Sequence, residues 1–443
     1  MRIGSKGTTG WKATISVAMS NYIESGSIIA IATSLTLWQK QFGVDDFAVG
    51  LLAAFSANAF GSAIGAAIGG PLCDRFGRKF IYTYDLLVYM LGVLLAAFAA
   101  NYPMLLAAFL ITGIAVGAGV PASWTYLSEE APPGRRAKHV GTAQLAWSIG
   151  PAVGFLLAVL LIGPLGLLGS RIIFLHLFVV AFVVWYIRQG LSESALWKSS
   201  RAAGNPTGRR GLRELFSRAP NIKALLFLFG IYGFWNVVAG QMGIFMPRVY
   251  QTAGVASAAE QNLLQVLMWA VTALSTYFGF MRLGDRVSTR LLYTVGAALG
   301  IVAWVLLVFV NVSLPVLLLF AVCWGISAGI GSQAFYALWT SELFATRYRA
   351  SAQGVLFFAA RIAVGLLSYY FPTMLANQGV PAVGMVMLGL LVLALAIGAL
   401  WAPRTQGRTL QDIETERYGE LPPPAAKTPD AATPASGRNS PAR

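Results

Sequence analysis

The chain runs to 443 residues, of which 57% are hydrophobic and only 11% charged, against roughly 45–50% and about 25% in ordinary soluble domains. So few charges cannot cover the surface that soluble domains of this total length would expose, and the apolar excess must face lipid. A net charge of +15 would suggest nucleic acid as the partner of a soluble protein, but here the location of the charges decides otherwise. Cys73 and Cys323, both in or beside apolar runs, support neither a disulfide framework nor a thiolate metal site. His139 and His176 are too few and too isolated for a zinc cluster.

A bilayer core of about 30 Å needs about 20 mostly apolar residues per helix. Twelve such runs are predicted in chain order, giving an all-α membrane protein: Lys12–Leu37, Asp46–Gly70, Phe80–Ala100, Met104–Ser128, His139–Ile162, Leu168–Arg188, Asn221–Val249, Gln261–Leu283, Thr289–Asn311, Leu314–Ser341, Ala350–Asn377 and Pro381–Trp401. The first is too long for a signal-peptide core and no small-residue cleavage site follows it, so it is expected to be a true span. Glycines recur in small-residue patterns, Gly61, Gly65 and Gly69 on one span and Gly113 and Gly117 on another, a spacing that lets helices approach closely.

The polar, basic stretch Gln189–Pro220 separates six spans from six. The organisation read from it is a first half at 1–188, a middle loop at 189–220, a second half at 221–402 and a tail at 403–443. The tail turns Pro-, Ala- and Thr-rich from Leu421 and is expected to be mostly disordered, because it cannot bury enough apolar area to fold. With both termini cytoplasmic, every Lys and Arg except Lys40, Arg171, Arg248 and Arg361 falls in an inside segment, so the positive-inside rule selects this orientation in a plasma or bacterial inner membrane. The basic balance is then a topology signal and not a nucleic-acid footprint.

No enzyme constellation, cofactor motif or metal cluster is evident. Asp45–Asp46 and Glu129–Glu130 lie at span ends, where solvation is the simpler reading. Intramembrane charges differ, because a charge at the bilayer centre costs at least ~2.5–3.5 kcal/mol. Glu24 lies twelve residues into the first span, roughly 18 Å deep at about 1.5 Å per residue. Arg361 lies twelve residues past Arg349, at a similar depth from the same side. The two read either as a structural ion pair or as a coupling site, in which Glu24 carries a proton and Arg361 is its partner or a clamp for a substrate carboxylate. Gln144, Trp147, Trp235, Asn236, Asn58, Gln333 and Tyr336 are polar or aromatic groups at mid-span positions that could border a solute cavity.

The loop after the second span reads GPLCDRFGRK from Gly70, and the loop after the eighth reads MRLGDRVSTR from Met281. Leu72, Asp74, Arg75 and Lys79 align with Leu283, Asp285, Arg286 and Arg290. Likewise YLSEEAPPGRR from Tyr126 and WTSELFATRYR from Trp339 each set a Glu before an Arg pair. Two parallel, pseudo-symmetric six-helix bundles follow, related by an axis along the membrane normal. Asp74, Arg75, Gly77, Arg78, Lys79, Glu129, Arg136, Asp285, Arg286, Glu342 and Arg349 are expected to form cytoplasmic charge networks that close when the cavity opens outward.

With LSESALW at Leu191–Trp197, SELFATRYRA at Ser341–Ala350 and PRTQGRTL at Pro403–Leu410, these loops resemble those of major facilitator superfamily transporters, and more narrowly of the sugar-porter branch. The resemblance covers about the first 414 residues. It implies that the acidic residue in span one is the proton site and that Gln144, in QLAWSIG, contacts sugar hydroxyls. The family's tandem Gln pair falls on Phe234 and Trp235, its following Tyr on Phe245, and an Arg common in span four on Phe109; all these departures argue against a hexose. The expected function is secondary transport of a small hydroxylated solute such as a sugar or polyol, by proton symport and alternating access, in a monomer. An organic-anion symporter, a uniporter and a transport-dead solute sensor are the alternatives.

Overall fold

The computed structural model describes residues 10–132, 134–203, 209–255 and 257–419. The first half comprises α1 (Trp11–Ala32), a short α2 (Leu35–Phe42), α3 (Asp46–Ala54), α4 (Phe60–Phe76), α5 (Arg78–Ala97), α6 (Tyr102–Glu129), α7 (Arg136–Leu165) and α8 (Leu167–Arg188). The middle loop holds α9 (Ala195–Ala202) and α10 (Arg209–Ser217). In the second half, α11 (Ala219–Thr252) precedes α12 (Ala258–Ser275), which runs through a π turn at Thr276–Phe280 into α13 (Met281–Leu283). Then follow α14 (Thr289–Phe309), α15 (Leu314–Ile330), α16 (Ser332–Leu343) and the long α17 (Arg349–Trp401), with α18 (Leu410–Tyr418) after the last span.

Ten stretches among the described residues are singly long and apolar enough to cross a membrane; two local features account for the other two spans. Span two is broken at residues 55–59, where the Ser56 hydroxyl donates to the Ala53 carbonyl at 2.7 Å and accepts from the Asn58 N–H at 3.0 Å. Neither α3 nor α4 is then long enough alone. The helix α17 holds two spans folded back at Gly379, whose φ of 74° suits glycine, with Pro381 opening the second span. Span ten is likewise interrupted at Gly331, between α15 and α16.

Within the first half α1 packs on α7 and α6, and α6 on α4 and α5; within the second, α11 packs on α17 and α12 on α15. The halves meet along α4–α17 and α7–α12, equivalent pairs under the repeat. Glycine makes these contacts possible. A Cβ at Gly65 would land on the Ile114 backbone, and one at Gly117 on Ser62; across the halves, a Cβ at Gly70 would stand 2.7 Å from the Ala350 carbonyl oxygen.

The expected disorder of the tail does not extend to residues 403–419. There Thr409 and Asp412 form a capping box that starts α18, and the Tyr418 hydroxyl donates to Asn221 Oδ1 at 2.6 Å, with the Leu343 carbonyl 3.1 Å away as its second acceptor neighbour. This stretch precedes the Pro-, Ala- and Thr-rich run from Leu421, and the capping box, the tyrosine contacts and the buried Ile413 hold it. Residues 420–443 lie outside the described residues.

Overpacking a close helix contact costs ~1–3 kcal/mol. Gly117→Val is therefore expected to lower the melting temperature of the purified protein clearly, while Gly163→Ala, where nothing lies within 4 Å, leaves it equal or slightly raised.

Candidate functional site

Glu24 and Arg361 are both almost fully buried, and they form an ion pair across the two halves. Arg361 donates in addition from Nη1 to the Asn58 carbonyl at 2.9 Å and to its Oδ1 at 3.3 Å, and lies over the Phe357 ring with 4.5 Å to the centroid. The break in span two explains the first of these bonds: a backbone carbonyl released from the helix ladder faces protein and not lipid. Asn58 completes the bridge by donating from Nδ2 to the Gly240 carbonyl at 3.1 Å. Trp147 stands beside the same carboxylate without a formed bond from its indole N–H.

A central cavity is bordered by Ser25, Asn58, Trp147, Asn236, Trp269 and Arg361. It is contracted to about 10 Å³, at most the room that one water needs. Several polar atoms in and around it are buried without partners: Arg361 Nε, Asn236 Oδ1 and the indole nitrogen of Trp269. Buried polar atoms are normally satisfied, so this wall is short of hydrogen-bonding groups that a hydroxylated solute would bring.

The other residues singled out for substrate stand outside this cavity. Gln144 bridges helices, donating from Nε2 to the Ala328 carbonyl at 3.1 Å. Trp235 stacks on Trp324 at 6.4 Å. Gln333 is buried, and Tyr336 stacks on Tyr232 at 3.9 Å and 11°. With Trp124, 5.5 Å from Tyr336, and Phe357, these two tyrosines make an aromatic plug under Arg361. Sequence reasoning missed Trp269 and Tyr232, because an aromatic residue on an apolar span carries no signal separating plug from lipid face. It also missed the buried Asp85–Arg188 pair at 3.7 Å, in which Arg188 donates to the Ser16 and Val17 carbonyls of α1, each at 2.9 Å. Arg188 looks like a loop charge because it ends its span.

The end bearing the repeated loops is closed by charge. Asp74 accepts from the Ser351 N–H at 2.7 Å and the Ala350 N–H at 3.3 Å, and so caps the first turn of α17 in the other half. Asp285 does the same for α7, accepting from Ala137 at 3.0 Å and Lys138 at 3.2 Å. A carboxylate at a helix N-terminus satisfies free N–H groups and the helix dipole together. Glu129 is no solvated end charge. It receives Arg78 at 2.7 Å and Arg349 at 3.0 Å, all three side chains buried. Its counterpart Glu342 receives Arg136 at 2.5 Å and the Thr405 hydroxyl at 2.6 Å; Thr289 stands where Arg78 has its repeat, and Thr405 takes over the second contact.

Arg75 and Arg286 take no part, contrary to expectation. Arg75 is exposed over the Phe76 ring, and Arg286 is exposed with no ion pair among the described residues. Each directly follows its capping aspartate, Arg75 on α4 and Arg286 in the turn after α13, and is exposed where the aspartate reaches across. Lys79 reaches only the Gln189 carbonyl, at 3.3 Å. Gly77 is needed for a φ of 100°, which leaves room for Glu193 to accept the Arg78 and Lys79 N–H groups, each at 3.0 Å. Trp197 adds a bond to the Asp74 carbonyl at 2.9 Å. Both belong to the LSESALW motif, so the signal for them lay in the sequence. At the opposite end Arg248 pairs with Asp46 at 3.1 Å and donates to Gln39 at 2.6 Å, linking the two halves there; Asp46 is thus partnered, while Asp45 caps α3.

Residues 13–338 match the profile of the Major Facilitator Superfamily. The chain belongs to that family. It is 42% identical over 415 residues to the minor myo-inositol transporter IolF of Bacillus subtilis, an alignment spanning 92% of this chain and 94% of that one. It is 25% identical to a quinate permease of Emericella nidulans, over 91% of this chain and 88% of the permease. In fold it is similar to the proton:xylose symporter XylE bound to 6-bromo-6-deoxy-D-glucose, with a TM-score of 0.77 at 20% identity over 91% of this chain and 98% of the other.

In this structure the aspartate caps join the two halves at the basic end. Asp74→Ala removes its cap, a loss of ~0.5–2 kcal/mol, so a cysteine placed at buried Thr340 in a background lacking Cys73 and Cys323 is expected to react faster with a membrane-impermeant thiol reagent from the basic side. Unchanged labelling would remove Asp74 from the gate.

Proposed function

We propose that the protein carries a small hydroxylated solute, a cyclic polyol of the inositol kind foremost, by proton symport and alternating access. Its basic end and both termini face the cytoplasm of a cell membrane, and it works as a monomer. The observation that carries this reading is the Glu24–Arg361 pair, sealed between the two halves beside a cavity in which some polar atoms, Asn236 Oδ1 and Arg361 Nε among them, lack partners. The relative named as a myo-inositol transporter, aligned over nearly the whole of both chains, supports the substrate class.

The geometry is compatible with the following steps. Opening at the Arg248–Asp46 end admits water and solute to the cavity, and a proton on Glu24 releases Arg361 from its ion pair. Closure of that end over the solute is compatible with the neutral carboxyl. Opening at the basic end, by release of the Asp74 and Asp285 caps, hydrates the site, lets the proton leave and re-forms the pair. Trp147, Trp269, Asn236 and Asn58 would meet the solute, the indoles against its ring face and the amides at its hydroxyls. The quinate relative raises a carboxylate substrate, but Arg361 is already engaged by Glu24 and Asn58, so a substrate carboxylate would have to displace Glu24.

Labelled myo-inositol uptake into proteoliposomes, with and without an inward proton gradient, tests this. Glu24→Gln is expected to abolish gradient-driven accumulation and to retain counterflow exchange; full uphill uptake in that variant would overturn symport, and wild-type uptake indifferent to the gradient would favour a uniporter. Arg361→Gln is expected to weaken binding of a neutral polyol less than about tenfold, whereas loss of a charge-assisted contact to a carboxylate, ~1.5–3 kcal/mol, would weaken an acid by roughly 10- to 150-fold.

A further inference from the structure

A second cavity lies at the basic end, away from the transport path. The first two turns of α11 and the last turns of α17 diverge there and leave a groove of about 680 Å³. Leu226, Phe227, Ile397 and Trp401 form its walls, and Lys223 and Arg417 stand at its mouth. Leu226 and Trp401 are 69% and 66% exposed, so the groove opens sideways from the bundle, toward the acyl chains around a spanning protein. Its apolar part lies farther into the spans, and its cationic part lies where the spans end.

The cations are available. Lys223 is exposed and forms no ion pair among the described residues. Arg417 is held by one bond, from Nη2 to the Pro220 carbonyl at 2.9 Å, while its Nε–H is buried without a partner. A buried guanidinium N–H without an acceptor is a strong demand for an anion. Among the described residues no acidic side chain lines the groove.

We propose that this groove binds one anionic glycerophospholipid, an acyl chain lying between Phe227, Ile397 and Trp401 and the phosphate accepting from Lys223 and Arg417. Apolar depth, cationic mouth and a lateral opening to lipid fit that occupant and no soluble one. Arg417 belongs to α18, whose Tyr418 ties Asn221 of α11 to the Leu343 carbonyl of α16, so the headgroup would brace the tail helix against the closed basic end. The proposal does not depend on what the central cavity carries.

Native mass spectrometry of the full chain, equilibrated with equal concentrations of phosphatidylglycerol and phosphatidylcholine, tests it. The expected result is preferential retention of one phosphatidylglycerol. Near a surface each Lys or Arg contributes about a fivefold preference for anionic lipid, so Lys223→Gln and Arg417→Gln should each reduce that preference by about fivefold, with phosphatidylcholine retention unchanged. Trp401→Ala should weaken both lipids, and the melting temperature of each variant separates lost binding from lost folding. Equal retention of the two lipids by the wild type, or an unaltered preference in the double variant, would overturn the site. Displacement of the lipid by millimolar glycerol phosphate would overturn the lipid assignment in favour of a soluble phosphate ester.

Discussion

A carboxylate and a guanidinium cannot both be placed near the middle of a bilayer unless each neutralises the other. Glu24 and Arg361 meet that constraint by coming from opposite halves, so the pair bridges the seam between them. The break in span two, the Asn58 carbonyl and the Asn58 side chain all serve the same cation. A state in which the halves part around the site must supply water, a proton or a solute to whichever of these contacts is lost.

The two ends of the cavity are shut by different physics. At the basic end carboxylates cap helices of the opposite half, and buried Arg–Glu contacts surround them. A cap depends on the position of a whole helix terminus and is lost in one step when that helix moves. At the far end a half-exposed Asp46–Arg248 pair with Gln39 suffices, a contact of the kind that is individually weak in water. Between them the stacked tyrosines Tyr232 and Tyr336 fill the path with area and not charge. The repeat is therefore symmetric in its aspartates and asymmetric around its glutamates, where Arg78 in one half is answered by Thr405 from beyond the last span in the other.

The buried polar inventory explains why so few charges serve so large a structure. Arg188 spends its donors on α1 carbonyls and Asp85, which fixes the helix that carries Glu24 against α8. Arg78 and Arg349 converge on Glu129. Each of these cations is placed where an isolated charge would be costly and a paired one holds a helix in register.

The sequence by itself determined the class of molecule, the twelve spans, the twofold repeat and the two deep charges, because hydropathy over 20 residues and the depth of a charge are properties of one helix at a time. The LSESALW and Asp74 loops were legible for the same local reason, and a search for helix caps would have read Glu193 from them as well. Tertiary structure alone decided which groups share a cavity. Gln144, Trp235, Gln333 and Tyr336 have the right chemistry at mid-span, yet a rotation of about 100° per residue around a helix turns the first toward the Ala328 carbonyl, the second onto Trp324, the third into the packed interior and the last onto Tyr232. Arg75 and Arg286 repeat faithfully but face outward, while Asp74 and Asp285 one residue earlier reach across to the other half. The direction of a side chain around its helix is set by which neighbour that helix packs against, and in a bundle whose every helix is apolar on most sides, that choice is made only when all of them are assembled.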